Sequence, residues 1–542
     1  MPTTTATPYE CHTMTKRLVR SWDVFDTLIS RKCGEPQKIF SLMGAVLGDG
    51  FTSARVKAES TARALGQEIT INDIYDELQR DMGWTAQDRQ RALNLELSTE
   101  FENVIPITEN MARVRDGDIA VSDMYLPREI ILELLRAAGL KKEVTVFVSN
   151  NGKADGSMWR RLKTQFHILK HTGDNLRSDF LRPLRHGIPA RLSETSAETA
   201  WERVLRCNGA PALSAYVREM RLKTFEQNGS FRAVQKAQIE ANLPLLLFAS
   251  AALVRWCEEH GISRALMSSR DCVLWVLLAE KVARHAGSGL NVEYFLTSRV
   301  AALRSSERYL EYAAKRITPD SVVVDLSMTG VSLAGLADRL GIIEVRAFVI
   351  AWQQSISKVL YGDKPQSKAR VNFEFLTAEV IDDDLEAVNQ ALSPSIHDVH
   401  ETSGGVLVTY ASENRSRPML EAISVQHAMF NQLVDRIPTA VLSEALELAK
   451  STRLVFLVRE CARHAGSCKT LISDSRPGAA LWNDPNAIKL NLPYATPNPA
   501  LKRVGNITKS LFKPLLPPGS FLHSLAKSSD VILNALKKRN RR

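Results

Sequence analysis

Four short segments of this chain carry residues that could act together on an electrophilic centre. In Arg20-Ser21-Trp22-Asp23-Val24-Phe25-Asp26-Thr27-Leu28 an apolar, strand-like run meets an acidic turn. Such a turn places a carboxylate at the carboxyl end of a parallel sheet, where open α/β folds bind ligands. Asp23 is therefore a candidate nucleophile or metal ligand. Ser122 and Asp123 end the next apolar run, IAVSDMYLP. Lys153 follows the run VTVFVSN, with Gly156 close behind. Asp174 and Asp179 stand in HTGDNLRSD, after a further apolar run.

The chemistry these residues suggest is coherent. Asp23 would attack phosphorus and give a covalent aspartyl intermediate. Ser122 and Lys153 would hold the anionic oxygens of the transferring group, Lys acting as a point charge. Thr27, Asp123 and Gly156 would complete the substrate surface. Asp174 and Asp179 would hold a hard divalent ion, and Mg²⁺ takes one or two carboxylates plus phosphate and water. That ion would lower the repulsion between Asp23 and an anionic substrate. Each segment alone has an ordinary reading. Ser122 could cap a helix starting near Pro127, Lys153 could be solvated, and Gly173-Asp174-Asn175 is a turn signal.

The elements around them read as a doubly wound parallel sheet. A strand with its turn at 17–29 and strand patterns at 118–124, 144–150, 166–175 and 186–193 alternate with helical stretches. Between the first two, residues 36–105 show apolar residues at three-to-four spacing in four blocks, with Thr70 and Asn72 as cap candidates. That block interrupts the alternation as an inserted cap would. Residues 196–260 read as a mostly helical connector. A second α/β domain follows over 261–410, then a helical region and a Pro- and Asn-rich loop over 411–500. Residues 1–16 read as a disordered leader.

Composition narrows the class. With 542 residues, 44% hydrophobic and 24% charged, the chain is a multidomain globular protein. Its seven cysteines are scattered and none forms CxxC, so neither a disulfide scaffold nor a zinc site is expected. The longest apolar run, Leu243 to Val254, is shorter than the ~20 residues a bilayer requires. The N-terminus has no apolar core of signal-peptide type, and the expected compartment is the cytoplasm. The net charge of +10 is concentrated in residues 501–542, where ten Lys and Arg face one Asp. This amphipathic tail could lie on an anionic membrane surface or dock on a protein partner. The near-neutral body argues against nucleic acid.

Residues 17–195 resemble the haloacid dehalogenase-like hydrolase superfamily. The family pattern D-x-D-x-T/V, then Ser/Thr, then Lys, then an acidic motif, maps onto Asp23, Ser122, Lys153 and Asp174/Asp179, with Thr27 and Leu28 closing the first motif. The resemblance implies a Rossmann-like core, a helical cap over about 31–112, Mg²⁺ as cofactor and a small phosphorylated substrate. It also implies that the backbone carbonyl of Phe25 serves the metal. The sequence departs from the phosphatase pattern at Phe25, where the general acid would stand. Asp26, one residue on, is expected to point elsewhere. Without a proton donor, worth ~10²–10⁴ in rate, acyl phosphates, phosphoanhydrides or a halide become better substrates than alkyl phosphates.

A second constellation lies in the later α/β region. Asp325 ends the run SVVVD and opens D-L-S-M-T-G-V-S, which looks somewhat like a phosphoribosyltransferase loop. Thr329, Gly330 and the following N–H groups could cradle a phosphate at a helix start, and Arg270 of SSRD could pair with an anion. Two further readings therefore stand beside the hydrolase. One is a transferase activity, phosphoribosyl or glycosyl, in the second domain. The other is a non-catalytic ligand-binding or scaffold protein, since the whole chain resembles large dehalogenase-like proteins found near surface-polysaccharide functions.

Overall fold

The computed structural model describes residues 16–66, 68–269, 271–352, 367–377, 386–468, 470 and 472. The leader before Lys16, the candidate anion ligand Arg270 and the tail 501–542 lie outside the described residues. The chain divides into two compact units. One comprises residues up to Ala200 together with Arg218–Phe225; the other comprises Trp201–Val217 and the chain from Glu226 onward. The stretch 196–260 is thus shared between them.

The first unit contains strands β1 (Arg17–Asp23), β2 (Ile29–Arg31), β3 (Val104–Pro106), β4 (Ile119–Asp123), β5 (Thr145–Ser149), β6 (Phe166–Gly173) and β7 (Ala190–Leu192). Five of them make a parallel sheet in the order β5-β4-β1-β6-β7. The central strand is covered on both faces, which is why Val19, Ser21, Trp22 and Asp23 are all buried. From β1 the chain winds outward through β4 and β5, then crosses back to β6 and winds the other way. The carboxyl ends of β1 and β6 therefore flank a topological switch point, where such sheets bind ligands.

Between β2 and β3, which pair antiparallel, stand four helices: α1 (Pro36–Leu47), α2 (Phe51–Leu65), α3 (Ile71–Met82) and α4 (Ala86–Asn103). Both α3 and α4 open with capping boxes, Thr70 with Asp73 and Thr85 with Asp88. Inside the insertion Arg55 and Glu96 are fully buried and joined by two bonds of 2.8 Å. The hydroxyls of Tyr75 and Tyr125 donate to the same Glu96 carboxylate. Tyr125 follows β4, so this polar knot ties the insertion to the sheet. A second bidentate pair, Arg31 with Glu100, is buried beside it.

The second unit holds another parallel five-stranded sheet. Its strands are β8 (Arg264–Ser268), β9 (Asn291–Phe295), β10 (Ser321–Met328), β11 (Glu344–Trp352) and β12 (Arg370–Thr377), in the order β12-β11-β10-β8-β9. A hairpin of β13 (Ile396–Thr402) and β14 (Gly405–Tyr410) follows, then, among the described residues, the helices Arg417–Arg436, Thr439–Leu448 and Arg453–Ser467. The architecture is α/β with parallel sheets flanked by helices, as the sequence indicates. Two features were not legible. Strand β12 extends the sheet, and the apolar run at 243–254 belongs to a longer helical run, Gly229–Glu259, with a π-turn at Gln238–Asn242. That run is apolar enough to cross a membrane by composition, yet 94% of its most apolar window is buried within the protein.

Removing Glu96 breaks the buried bidentate pair and leaves the Arg55 guanidinium with only the partly exposed Glu59, 3.2 Å away, as a carboxylate partner. Glu96→Ala is expected to lower stability by about 3–5 kcal/mol in urea denaturation; a change below ~1 kcal/mol would show that the pair contributes no more than a surface bridge.

Candidate functional site

The crevice of the first sheet draws its candidate residues from the carboxyl ends of four strands, β1, β4, β5 and β6. Asp23 is the last residue of β1 and is in register with Val121 of β4. Ser122, the next residue of β4, is also buried. Lys153 lies on the short helix Gly152–Asp155, directly after β5. Asp174 follows β6, and Asp179 sits on the π-helix Leu176–Leu181. The Lys153 Nζ donates to Asp23 Oδ1 at 2.5 Å and to Asp179 Oδ1 at 2.7 Å. Carboxylate oxygens of Asp23, Asp174 and Asp179 lie within 4.8 Å of one another. The residues that the sequence scatters over about 160 positions thus meet at one point.

The electrostatics follow from this crowding. Burial pushes the Asp23 carboxyl up to about 8; Lys153 opposes the rise, and Asp179 and Asp174 add to it. Asp174 stands on the rim with one side open to water. Loss of water around its carboxyl, then the charges of Asp26 and Asp179, raises it to about 6. Asp179 goes the other way. Burial acts to raise it, but the hydrogen bond from His171 and the Lys153 ammonium hold it well below the usual carboxylate range. Burial acts against the Lys153 ammonium, yet Asp23 and Asp179 keep it firmly charged.

His171 was not singled out from the sequence. It is fully buried in β6; Nε2 lies 3.2 Å from Asp179 Oδ1 and Nδ1 lies 2.9 Å from Ser21 Oγ. Burial lowers its pKa, so it is neutral at pH 7. An ionised Asp179 can only accept, which puts the proton on Nε2 and makes Ser21 the donor to Nδ1. The available signal was Ser21 and His171, polar residues on inward positions of two strands with otherwise apolar neighbours.

Several expected site residues have structural work to do. Asp123 accepts the backbone N–H groups of Lys153 (3.1 Å) and Ala154 (3.3 Å), so it aims the Lys153 helix. Gly156 ends that helix at φ 92, and a Cβ there would meet His186 Nε2 at 2.4 Å. A Cβ on Gly173 would meet Asp179 at 2.5 Å, so only glycine lets the π-helix approach β6. Thr27 is fully buried; its carbonyl accepts from Asn110, and its Oγ1 has no partner among the described residues. Ser122 makes no cap for the helix Arg128–Ala137, whose N-terminus has no side-chain cap.

The Phe25 turn is well defined. Leu28 and Ile29 N–H groups donate to Val24 O, and Asp26 N–H to Ile29 O, which leaves the Phe25 carbonyl out of the turn's own bonding. The Arg31 guanidinium lies 4.3 Å over the Phe25 ring. The Asp26 carboxylate is engaged within its own turn, outside the Asp23–Asp174–Asp179 group. The residue takes a left-handed backbone, φ 56, its Oδ1 accepts from Ser30 Oγ at 2.6 Å, and its charge reaches Asp174. Arg218 closes the turn from outside, 3.8 Å from Asp26 and bonded to Ser30 Oγ and Arg31 O. Glu68 of the insertion accepts from Ser149 Oγ and Asn150 N at the start of the Lys153 loop.

The second constellation is arranged differently. Asp325 lies within β10, which runs on to Met328, and is not the end of the strand. Its Oδ1 accepts from Leu326 N–H. Burial, then the neighbouring Asp271, raises its pKa well above the ordinary value. Two adjacent carboxylates disfavour a phosphate at that position. Thr329 and Gly330 form the turn into the helix Val331–Arg339, with Gly330 at φ 85 and Phe373 where its Cβ would stand. Against known protein families and curated proteins, the sequence matches no family model and no relative.

Cation binding at this cluster requires ionised carboxylates. Because Asp23 and Asp174 hold protons more tightly than free carboxylates do, Mg²⁺ must displace them. Its apparent affinity should therefore rise from pH 6 to pH 8 and then level off. Isothermal titration calorimetry in buffers of different ionisation enthalpy reads both the affinity and the proton release; a pH-independent affinity would contradict this electrostatic account. Gly173→Ala, which pushes on Asp179, should weaken Mg²⁺ binding on the order of tenfold or more, as displaced support for a ligand does.

Proposed function

We propose that residues 17–195 form a haloacid dehalogenase-like core with the insertion as its cap, and that it carries out Mg²⁺-dependent hydrolysis or transfer of a phosphoryl group. The observation that carries this reading is Lys153, held between Asp23 and Asp179 at the carboxyl ends of a parallel sheet. Asp23 is the one of these carboxylates that terminates the central strand, and it serves as the nucleophile. The all-oxygen donor set of Asp23, Asp174 and Asp179 fits a hard divalent ion, and the free carbonyl of Phe25 completes it. When bound, Mg²⁺ supplies charge neutralisation for the entering phosphate. Ser122 and the Lys153 ammonium bind the phosphoryl oxygens, and His171 and Gly173 fix Asp179.

Position 25 sets the leaving group. The Phe25 ring carries no proton and is held under Arg31, so a departing alkoxide receives no proton from it. Substrates whose leaving group departs as a stable anion, such as acyl phosphates or phosphoanhydrides, suit this site. Asp23 attacks phosphorus, the P–O bond to the leaving group breaks with its electron pair leaving on oxygen, and water then hydrolyses the aspartyl phosphate.

Purified full-length protein with Mg²⁺ should release phosphate from acetyl phosphate or a nucleoside diphosphate faster than from a hexose phosphate. Asp23→Asn should abolish release while the protein remains folded by circular dichroism, since Asp179 still pairs with Lys153. Turnover that survives Asp23→Asn rules the reading out. Ligand-induced stabilisation without turnover by the wild type would make this a binding protein.

A further inference from the structure

We propose that the outer face of the segment Leu176–Arg185 is a docking surface for an anionic lipid membrane. The segment is the π-helix Leu176–Leu181 continued by the helix Arg182–Arg185. Its polarity is the reverse of an ordinary surface helix. The buried positions are Asp179 and Pro183, while Leu176, Leu181 and Leu184 are 57%, 43% and 45% exposed. Three leucines on the solvent side of ten residues leave a face without its partner.

The charge around it selects that partner. Each exposed leucine is followed by an arginine: Arg177, Arg182 and Arg185. Arg160 and Lys163 of the preceding helix Ser157–Gln165 converge on the same place, because with Arg182 they press on His186. Burial and then these three charges lower the His186 pKa. Among the described residues no carboxylate forms an ion pair with Arg160, Arg177, Arg182 or Arg185. Asp155 is close enough for Arg160 and Arg182 to lower its pKa, after the hydrogen bonds from Ser157. Asp179 of the segment and Asp174 just before it belong to the crevice. The +9 tail of this chain is excluded as an occupant by its own charge. Nucleic acid would satisfy the arginines but leave the leucines in water. An anionic bilayer satisfies both, with leucines at the acyl boundary and guanidinium groups among the headgroups.

The proposal is independent of the phosphoryl chemistry. It is tested by co-sedimenting the full-length protein with vesicles of phosphatidylcholine alone or mixed equally with phosphatidylglycerol. The wild type should sediment with the mixed vesicles only, and less at high salt. The triple change Leu176→Ser, Leu181→Ser, Leu184→Ser should lower the partition roughly tenfold or more. The pair Arg182→Glu, Arg185→Glu, which removes no packing, should do the same. Leu42→Ser with Val46→Ser, an exposed apolar pair on α1, should leave it unchanged, as should removal of residues 501–542. The proposal fails if the wild type ignores the mixed vesicles, if both face variants sediment like wild type, if the α1 control loses binding equally, or if loss of the tail alone abolishes it.

Discussion

The first unit is organised around one ammonium group in a place where it should not be comfortable. Lys153 is 3% exposed, and burying a lone cation would cost several kcal/mol. It is tolerated because Asp23 and Asp179 stand on either side of it, and they in turn are tolerated because Lys153 is there. Each of the three arrives by a separate structural route. Asp23 comes at the end of the central strand. Lys153 comes on a single helical turn aimed by Asp123. Asp179 comes on a π-helix that approaches β6 only because residue 173 has no side chain. His171 then fixes Asp179 from behind through a bond that depends on Ser21. The cluster is a chain of dependences, and its members are not interchangeable.

The energy balance of this arrangement leaves room for a cation. One ammonium cannot neutralise three carboxylates, and burial together with their mutual repulsion raises the pKa of both Asp23 and Asp174. A divalent ion would relieve that repulsion. The same arithmetic separates the two sheets. In the second, Asp325 and Asp271 crowd each other in the same way, but no lysine stands between them among the described residues. The two sheets are both parallel, but they differ in strand order and in electrostatics.

Much of this was legible in the sequence because it is local. Helix α1 runs from Pro36 to Leu47 as the apolar spacing indicates, and Thr70 caps α3 as its type and position imply. The parallel strands were visible as β-branched runs. Asp23, Lys153, Asp174 and Asp179 were recoverable because each follows such a run, which is where chain direction puts functional groups. What escaped was whatever depends on pairing across the sequence. The bond from Ser30 to Asp26, reached through a left-handed backbone at Asp26, is not visible from strand alternation. His171 reads as an ordinary strand residue until Ser21 and Asp179 are placed on either side of it. Strand β12 is defined by its neighbour β11, and the helix around 243–254 by what buries it.

The insertion between β2 and β3 has a kinetic corollary. Ser21 and Ile119 are sheet neighbours, yet about a hundred residues of chain separate them, so during synthesis the first strand waits unpaired while its partner is still being made. Long-range pairings of this sort are slow. The four helices in between are built from short-range contacts, with their own caps and their own sealed Arg55–Glu96 pair. Once they have formed, the two ends of the intervening chain are brought together by β2 and β3, and the effective gap shrinks from a hundred residues to a short ribbon. The helical block thus shortens the loop that the first sheet pairing has to close.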